Sequence, residues 1–206
     1  MNSYDAQSAL PTKKHSKSNK EFSTAVDVVT LEMMLFLLQE EGVKCRSSIE
    51  SLSPNDELRE QLTKAIAIEA LKSMSKNMLK DYGPEMRQLC GTLDLSDEQF
   101  YATYCLVAGN SLGYPDISMG RIVSLMTFTG LLASHLIKRG EDCKVERLLG
   151  WERMFIANTC QPCIEGLGGW VSHVVCTQAR ACMCEYQDAG LGDCGWRQVS
   201  VEYDNL

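Results

Sequence analysis

The run from Ile117 to Ile137, ISMGRIVSLMTFTGLLASHLI, limits what this chain can fold into more than any other stretch. It is apolar nearly all round. Arg121 is its only residue charged at neutral pH, and His135 lies near its end. A helix that is hydrophobic on every face is either a membrane span or the middle of a bundle. At 1.5 Å per residue the run is roughly 30 Å long, enough to cross a bilayer, so length does not choose between the two.

The neighbouring segments do choose. From Thr24 to Glu41, Val28, Leu31, Leu35 and Leu38 recur at helical spacing, with Gly42 as a stop. Ser53-Pro54-Asn55-Asp56 reads as a helix start. That helix carries Leu58, Leu62, Ile66, Leu71, Met74 and Met78 and is expected to end before Gly83-Pro84. A short helix over Glu85–Cys90 follows. Ser96-Asp97-Glu98-Gln99 reads as a capping box for a helix bearing Phe100, Tyr104 and Val107. Beyond the apolar run, residues 141–159 are again helical in pattern, and a last helix is expected over about 170–186. Each of these helices has an apolar face that needs a cover, and an all-apolar helix among amphipathic ones supplies it. No clear run alternates at period two. The expectation is an all-α bundle of about eight helices around a central apolar helix at about 117–139.

A chain of 206 residues suggests one domain. Residues 1–20 carry Lys13, Lys14, Lys17 and Lys20 against Asp5 and lack apolar periodicity, so they are expected to be a disordered basic tail. Residues 21–186 form the expected helical domain, and 187–206 a polar tail without a membrane anchor. Net charge is −7, which argues against a nucleic-acid-binding surface. The ten cysteines, with no secretory signal in the opening residues, are read as thiols in a reducing compartment.

The segment SMGRIVSLMTFTG resembles the first homology segment of the Bcl-2 apoptosis regulators, whose core reads N-W-G-R before an apolar helix. Gly120 and Arg121 match, while Ser118 and Met119 replace the asparagine and tryptophan. CIEGLGGWVSHV resembles the second homology segment, W-I-x-x-x-G-G-W. Gly168, Gly169 and Trp170 match, and Cys163 stands at the first tryptophan. VVTLEMMLFLLQEEGV resembles the fourth, amphipathic segment. The stretch from Ala67 to Gly120, with its turn at Leu93–Leu95, is similar in pattern to the myeloid-cell-leukaemia branch. In the third segment, L-x-x-x-G-D, this chain has Leu71-Lys72-Ser73-Met74-Ser75-Lys76. Lysine thus replaces the aspartate that would meet a receptor's arginine, so the chain looks suited to receive a helix rather than to donate one.

The resemblance implies a prosurvival regulator that sequesters pro-death proteins by holding their amphipathic death helix in a groove. Met86, Leu89, Leu93, Val107, Ser124, Leu125 and Phe128 would line the pockets. Arg121 would pair with the partner's aspartate, and Gly120 would allow close backbone approach. A cytoplasmic location, with residence at the mitochondrial outer surface, and heterodimers with pro-death relatives follow from the same resemblance, as does the absence of any cofactor.

Two other readings stay open. One is a pore-forming, pro-death member of the same fold. The other is a zinc or redox module built on Cys160-Gln161-Pro162-Cys163 with His173, Cys176, Cys182, Cys184 and Cys194, although the spacings match no common finger. An enzyme is the least favoured class. His15, His135 and His173 have no nucleophile or acid at motif spacing, and the glycines form no phosphate loop.

Overall fold

The computed structural model describes residues 14–44, 67–113, 117–166 and 169–170. Among these residues every regular element is helical. They are α1 (Lys14–Glu40), α2 (Ala67–Thr92), α3 (Phe100–Leu112), α4 (Met119–Lys138), α5 (Cys143–Phe155), a π-helical turn (Ile156–Cys160) and α6 (Gln161–Gly166).

The apolar run is α4, and it is the axis. Helices α1, α2, α3 and α5 all pack on it. Ser118 caps it, its hydroxyl accepting the Arg121 N–H at 3.4 Å. All-round hydrophobicity is matched by all-round burial, from Ile122 through Ser134 without a break. Two of its four buried hydroxyls are satisfied within the helix by carbonyls one turn back. Thr127 bonds the Val123 carbonyl at 2.8 Å, and Thr129 bonds that of Leu125 at 2.9 Å.

Two boundaries differ from the sequence reading. Helix α1 begins at Lys14, earlier than the apolar periodicity that starts near Thr24, since a nucleated helix can propagate through polar residues. Helix α2 does not stop at Gly83-Pro84 but runs through it. Pro84 faces solvent, while Met86, Leu89 and Cys90 continue the buried stripe. Burying Met86 and Leu89 is worth about 1.5–3 kcal/mol each, enough to offset the roughly 3 kcal/mol cost of an interior proline. The first part of the helix expected from Ser53, up to residue 66, the tail over 187–206 and most of the helix expected at 170–186 lie outside the described residues.

Polar clamps fix the helices around the axis. Glu41, at the end of α1, receives Arg87 of α2 at 2.6 Å and Lys138 of α4 at 3.1 Å. These two bonds hold its carboxyl below its ordinary range despite burial, which acts the other way. Arg153 of α5 reaches Asp27 of α1 at 3.4 Å. Lys144, nearly buried, donates to the Leu95 carbonyl at 2.7 Å and to Glu141 at 2.6 Å, pinning the α2–α3 connection to the start of α5.

Candidate partner-helix site

Arg121 sits in the first turn of α4, half-buried, with its guanidinium turned back toward the end of α3. Its Nη1 donates to the Leu112 carbonyl at 3.4 Å, a long bond to one of the carbonyls left free at a helix end. Gly113 terminates α3 in the left-handed region (φ 59°, ψ 54°), its N–H bonded to the Gly109 carbonyl at 3.2 Å. The guanidinium occupies the space where a side chain at 113 would begin. Among the described residues no carboxylate lies within ion-pair distance of Arg121. Gly120, beside it, is exposed.

The residues that the resemblance assigns to the groove come from three elements and the α2–α3 connection. Met86 and Leu89 lie on α2, Leu93 just beyond it, Val107 on α3, and Ser124, Leu125 and Phe128 on α4. All are buried, Leu89 being the most exposed at 9%. The six apolar ones belong to one continuous core cluster. The structure therefore brings them together, packed on their neighbours rather than lining an open cleft. Trp170 is buried against α1, its ring stacked on Phe22 at 6.5 Å. Gly169 has a positive φ of 86°, and Gly168 lies outside the described residues.

The third segment is also turned inward. Ile68, Leu71 and Ser75 of α2 are buried, and the Ser75 and Thr127 hydroxyls lie 2.9 Å apart between α2 and the axis. Lys76, at the position of the missing aspartate, points outward, 3.6 Å from Glu40 and 5.4 Å from the centre of the Phe36 ring. A cleft of about 450 Å³ opens on that side between α1 and α2, lined by Phe36, Glu40, Glu69, Lys72, Ser73 and Lys76 among others.

Three features escaped the sequence reading: the closeness of Arg121 to Gly113, the Ser75–Thr127 contact, and Glu152. The last carried a signal. Val145, Leu148, Leu149, Glu152 and Ile156 share a helical register, so an acid stands in a core position. Glu152 is 1% exposed, and its Oε1 has no hydrogen-bond partner among the described residues. Burial pushes its carboxyl well above the ordinary range, against smaller opposing pulls from Thr129 and Arg153. Thr129 also meets the Tyr104 hydroxyl at 3.1 Å.

Of the cysteines in view, Cys90 and Cys160 are buried packing residues. Cys90, Cys105, Cys143, Cys160 and Cys163 are free thiols, and burial pushes Cys90 and Cys160 up to about 12. A thiol that resists ionisation is a poor metal ligand. No group of three or more candidate metal ligands occurs among the described residues. His173, Cys176, Cys182, Cys184 and Cys194 lie outside them.

Comparison with known proteins agrees with this bundle. Residues 71–170 match the family model described as apoptosis regulator proteins, Bcl-2 family. No match appears among curated protein sequences. Among solved structures, chicken BOK shares the fold with a TM-score of 0.60 at 19% identity, over 77% of this chain and 98% of that one. Trichoplax adhaerens trBcl-2L2, solved bound to trBak BH3, gives a TM-score of 0.61 at 19% identity, over 76% of this chain and 99% of that one. These matches reach the family and lend the myeloid-cell-leukaemia branch no support. The match to the Bcl-2 family model covers residues 71–170, just under half of the chain, and the described residues form a helical bundle of the same fold as these two structures.

Proposed function

We propose that this protein is a prosurvival regulator that takes up the death helix of a pro-death relative between α2, α3 and α4. The observation that carries this reading is Arg121. It is a guanidinium donor at the start of the central helix, half-buried, and among the described residues it is held by one long bond to a carbonyl. A partner's aspartate would supply the charge-assisted bond that Leu112 supplies weakly. Met86, Leu89, Leu93, Val107, Leu125 and Phe128 would become pocket walls once α2 moves away from α4. Met86 suits a floor that must repack. The BH3 helix bound to trBcl-2L2 supports the choice of ligand class. Lys76 in place of the family's aspartate supports a receptor over a donor. Residence in the cytoplasm and at the mitochondrial outer surface belongs to the same proposal.

The test is a panel of labelled death-helix peptides against the full chain. Saturable binding at or below micromolar concentration is the expected result. Absence of binding by every peptide in that range would overturn the reading.

One observation favours a second reading, a pore-forming member. Helix α4 is long and apolar enough to cross a membrane, although 78% of its most apolar window is buried in the bundle. Dye release from vesicles of mitochondrial lipid composition separates the two readings, because a sequestering protein leaves the vesicles intact.

A further inference from the structure

Glycine at 113 has an evident backbone reason. Its φ of 59° closes α3 in the left-handed region, where a Cβ is disfavoured. That reason does not account for what surrounds it. A Cβ added at 113 would fall within the Arg121 guanidinium, on Nη1 and against Cζ, with Nη2 at 3.2 Å. The same guanidinium reaches the Leu112 carbonyl, at the end of α3 where the helix dipole favours a cation. Behind it, the Arg121 backbone N–H is fixed by the Ser118 hydroxyl. Both ends of the arginine are therefore set by the α3–α4 junction: the main chain by the cap of α4, and the guanidinium by the bare backbone of α3.

We infer that Gly113 is a positioning residue for Arg121, a seat that holds the guanidinium aimed at an incoming carboxylate; this rests on the reading given under Proposed function. A side chain at 113 would meet only the far end of a flexible side chain, not backbone. The guanidinium would swing away and the fold would stay. The effect falls on how well the arginine is pre-organised, and pre-organisation is what turns a charged contact into discrimination for the acid-bearing ligand. The seat also leaves Nη2 and Nε for the carboxylate while Nη1 faces the carbonyl, so the arginine need not break its own contact to bind.

The test separates the seat from the backbone requirement. Asparagine tolerates the left-handed region but carries a Cβ, so Gly113→Asn keeps the turn and removes the seat. Wild type, Gly113→Asn and Arg121→Ala are titrated with a death-helix peptide and with the same peptide bearing asparagine for its aspartate. Wild type is expected to prefer the aspartate peptide by about tenfold or more, the scale of a charge-assisted bond. Gly113→Asn is expected to lose most of that preference, approaching Arg121→Ala, while still binding the asparagine peptide as wild type does. Full discrimination by Gly113→Asn overturns the inference. The Arg121 Nε–H resonance is recorded alongside in wild type and Gly113→Asn. If wild type binds neither peptide, the functional reading fails; a resonance that shifts between the two proteins still supports the seat, and an unchanged one overturns it.

Discussion

The hydroxyls of Ser75 and Thr127 meet at 2.9 Å in the interior, joining α2 to the central helix across a wholly buried contact. Ser75 stands where the family's third segment carries glycine. Here the position does not merely permit close approach of two helices; it bonds across it. The segment that a pro-death relative would expose is thereby tied to the axis of the bundle.

Replacing Ser75 by alanine should cost about 0.5–1.5 kcal/mol of stability, the net worth of one hydrogen bond. The cost stays small because Thr127 keeps its bond to the Val123 carbonyl. Ser75→Gly should cost more, adding roughly 0.5–1 kcal/mol for glycine inside a helix. Urea denaturation of the two variants measures both. Two variants as stable as wild type would mean the contact carries no free energy.

A similar closeness sets the approach of α1 to α4. A Cβ at Gly130 would lie 2.6 Å from the Leu37 Cβ. Leu37 Cβ is anchored to its own helix, so the helices themselves would have to part. Gly130→Ala should therefore destabilise by about 1–3 kcal/mol as an overpacked core, in spite of alanine's better helix propensity. Gly150, on the exposed side of α5, has nothing within 4 Å of its added Cβ, and Gly150→Ala should stabilise by about 0.4–1 kcal/mol. Thermal melts should move in opposite directions, and a shift of the same sign for both would contradict the packing described.

What the sequence made legible, and what it did not, follows from the range of the interactions. The axis was readable over about 117–139 and is observed as Met119–Lys138, because uniform apolarity over that length leaves few choices. The passage of α2 through Gly83-Pro84 was not readable. Local propensity says stop there, and only the tertiary burial of Met86, Leu89 and Cys90 overrides it. The assigned groove residues were recognisable as apolar positions at family spacing, but spacing cannot tell a packed wall from an open one. The Arg121–Gly113 and Ser75–Thr127 pairs depend on the geometry of a turn and on the mutual rotation of two helices, which no periodicity encodes.

Arginine at 121 should be irreplaceable by lysine if it recognises a carboxylate through its planar fork. Arg121→Ala should weaken death-helix binding by about 1–3 kcal/mol, and Arg121→Lys should recover only part of that loss. Raising the salt should narrow the difference between wild type and Arg121→Ala, since the contact lies at a half-exposed position. Fluorescence polarisation at two ionic strengths measures this, and equal affinity of wild type and Arg121→Ala would leave the arginine without a role in binding.

The buried carboxyl of Glu152 makes a prediction of opposite sign to that of the ion-paired acids. The Thr129 hydroxyl has one hydrogen, directed at the Leu125 carbonyl at 2.9 Å. Thr129 also meets the Tyr104 hydroxyl, and its pull on the Glu152 carboxyl favours the ionised form but is outweighed by burial. With burial raising the folded carboxyl well above its ordinary 4.5, the group binds a proton in the folded chain that it releases on unfolding. It imposes no pH-dependent penalty below pH 4.5 and lowers stability as pH rises from there toward its folded value, by roughly 1 kcal/mol per pH unit. Glu41, Asp97 and Glu141, whose carboxyls are lowered, contribute the reverse: stability present above their ordinary values and lost as pH falls. Comparing Glu152→Gln with wild type cancels those shared terms. The variant's stability relative to wild type should climb steadily from pH 5 to pH 7 in matched denaturation series, because glutamine keeps the shape without the ionisation. A difference that stays flat over that window would mean that Glu152 titrates in the folded chain as an ordinary acid.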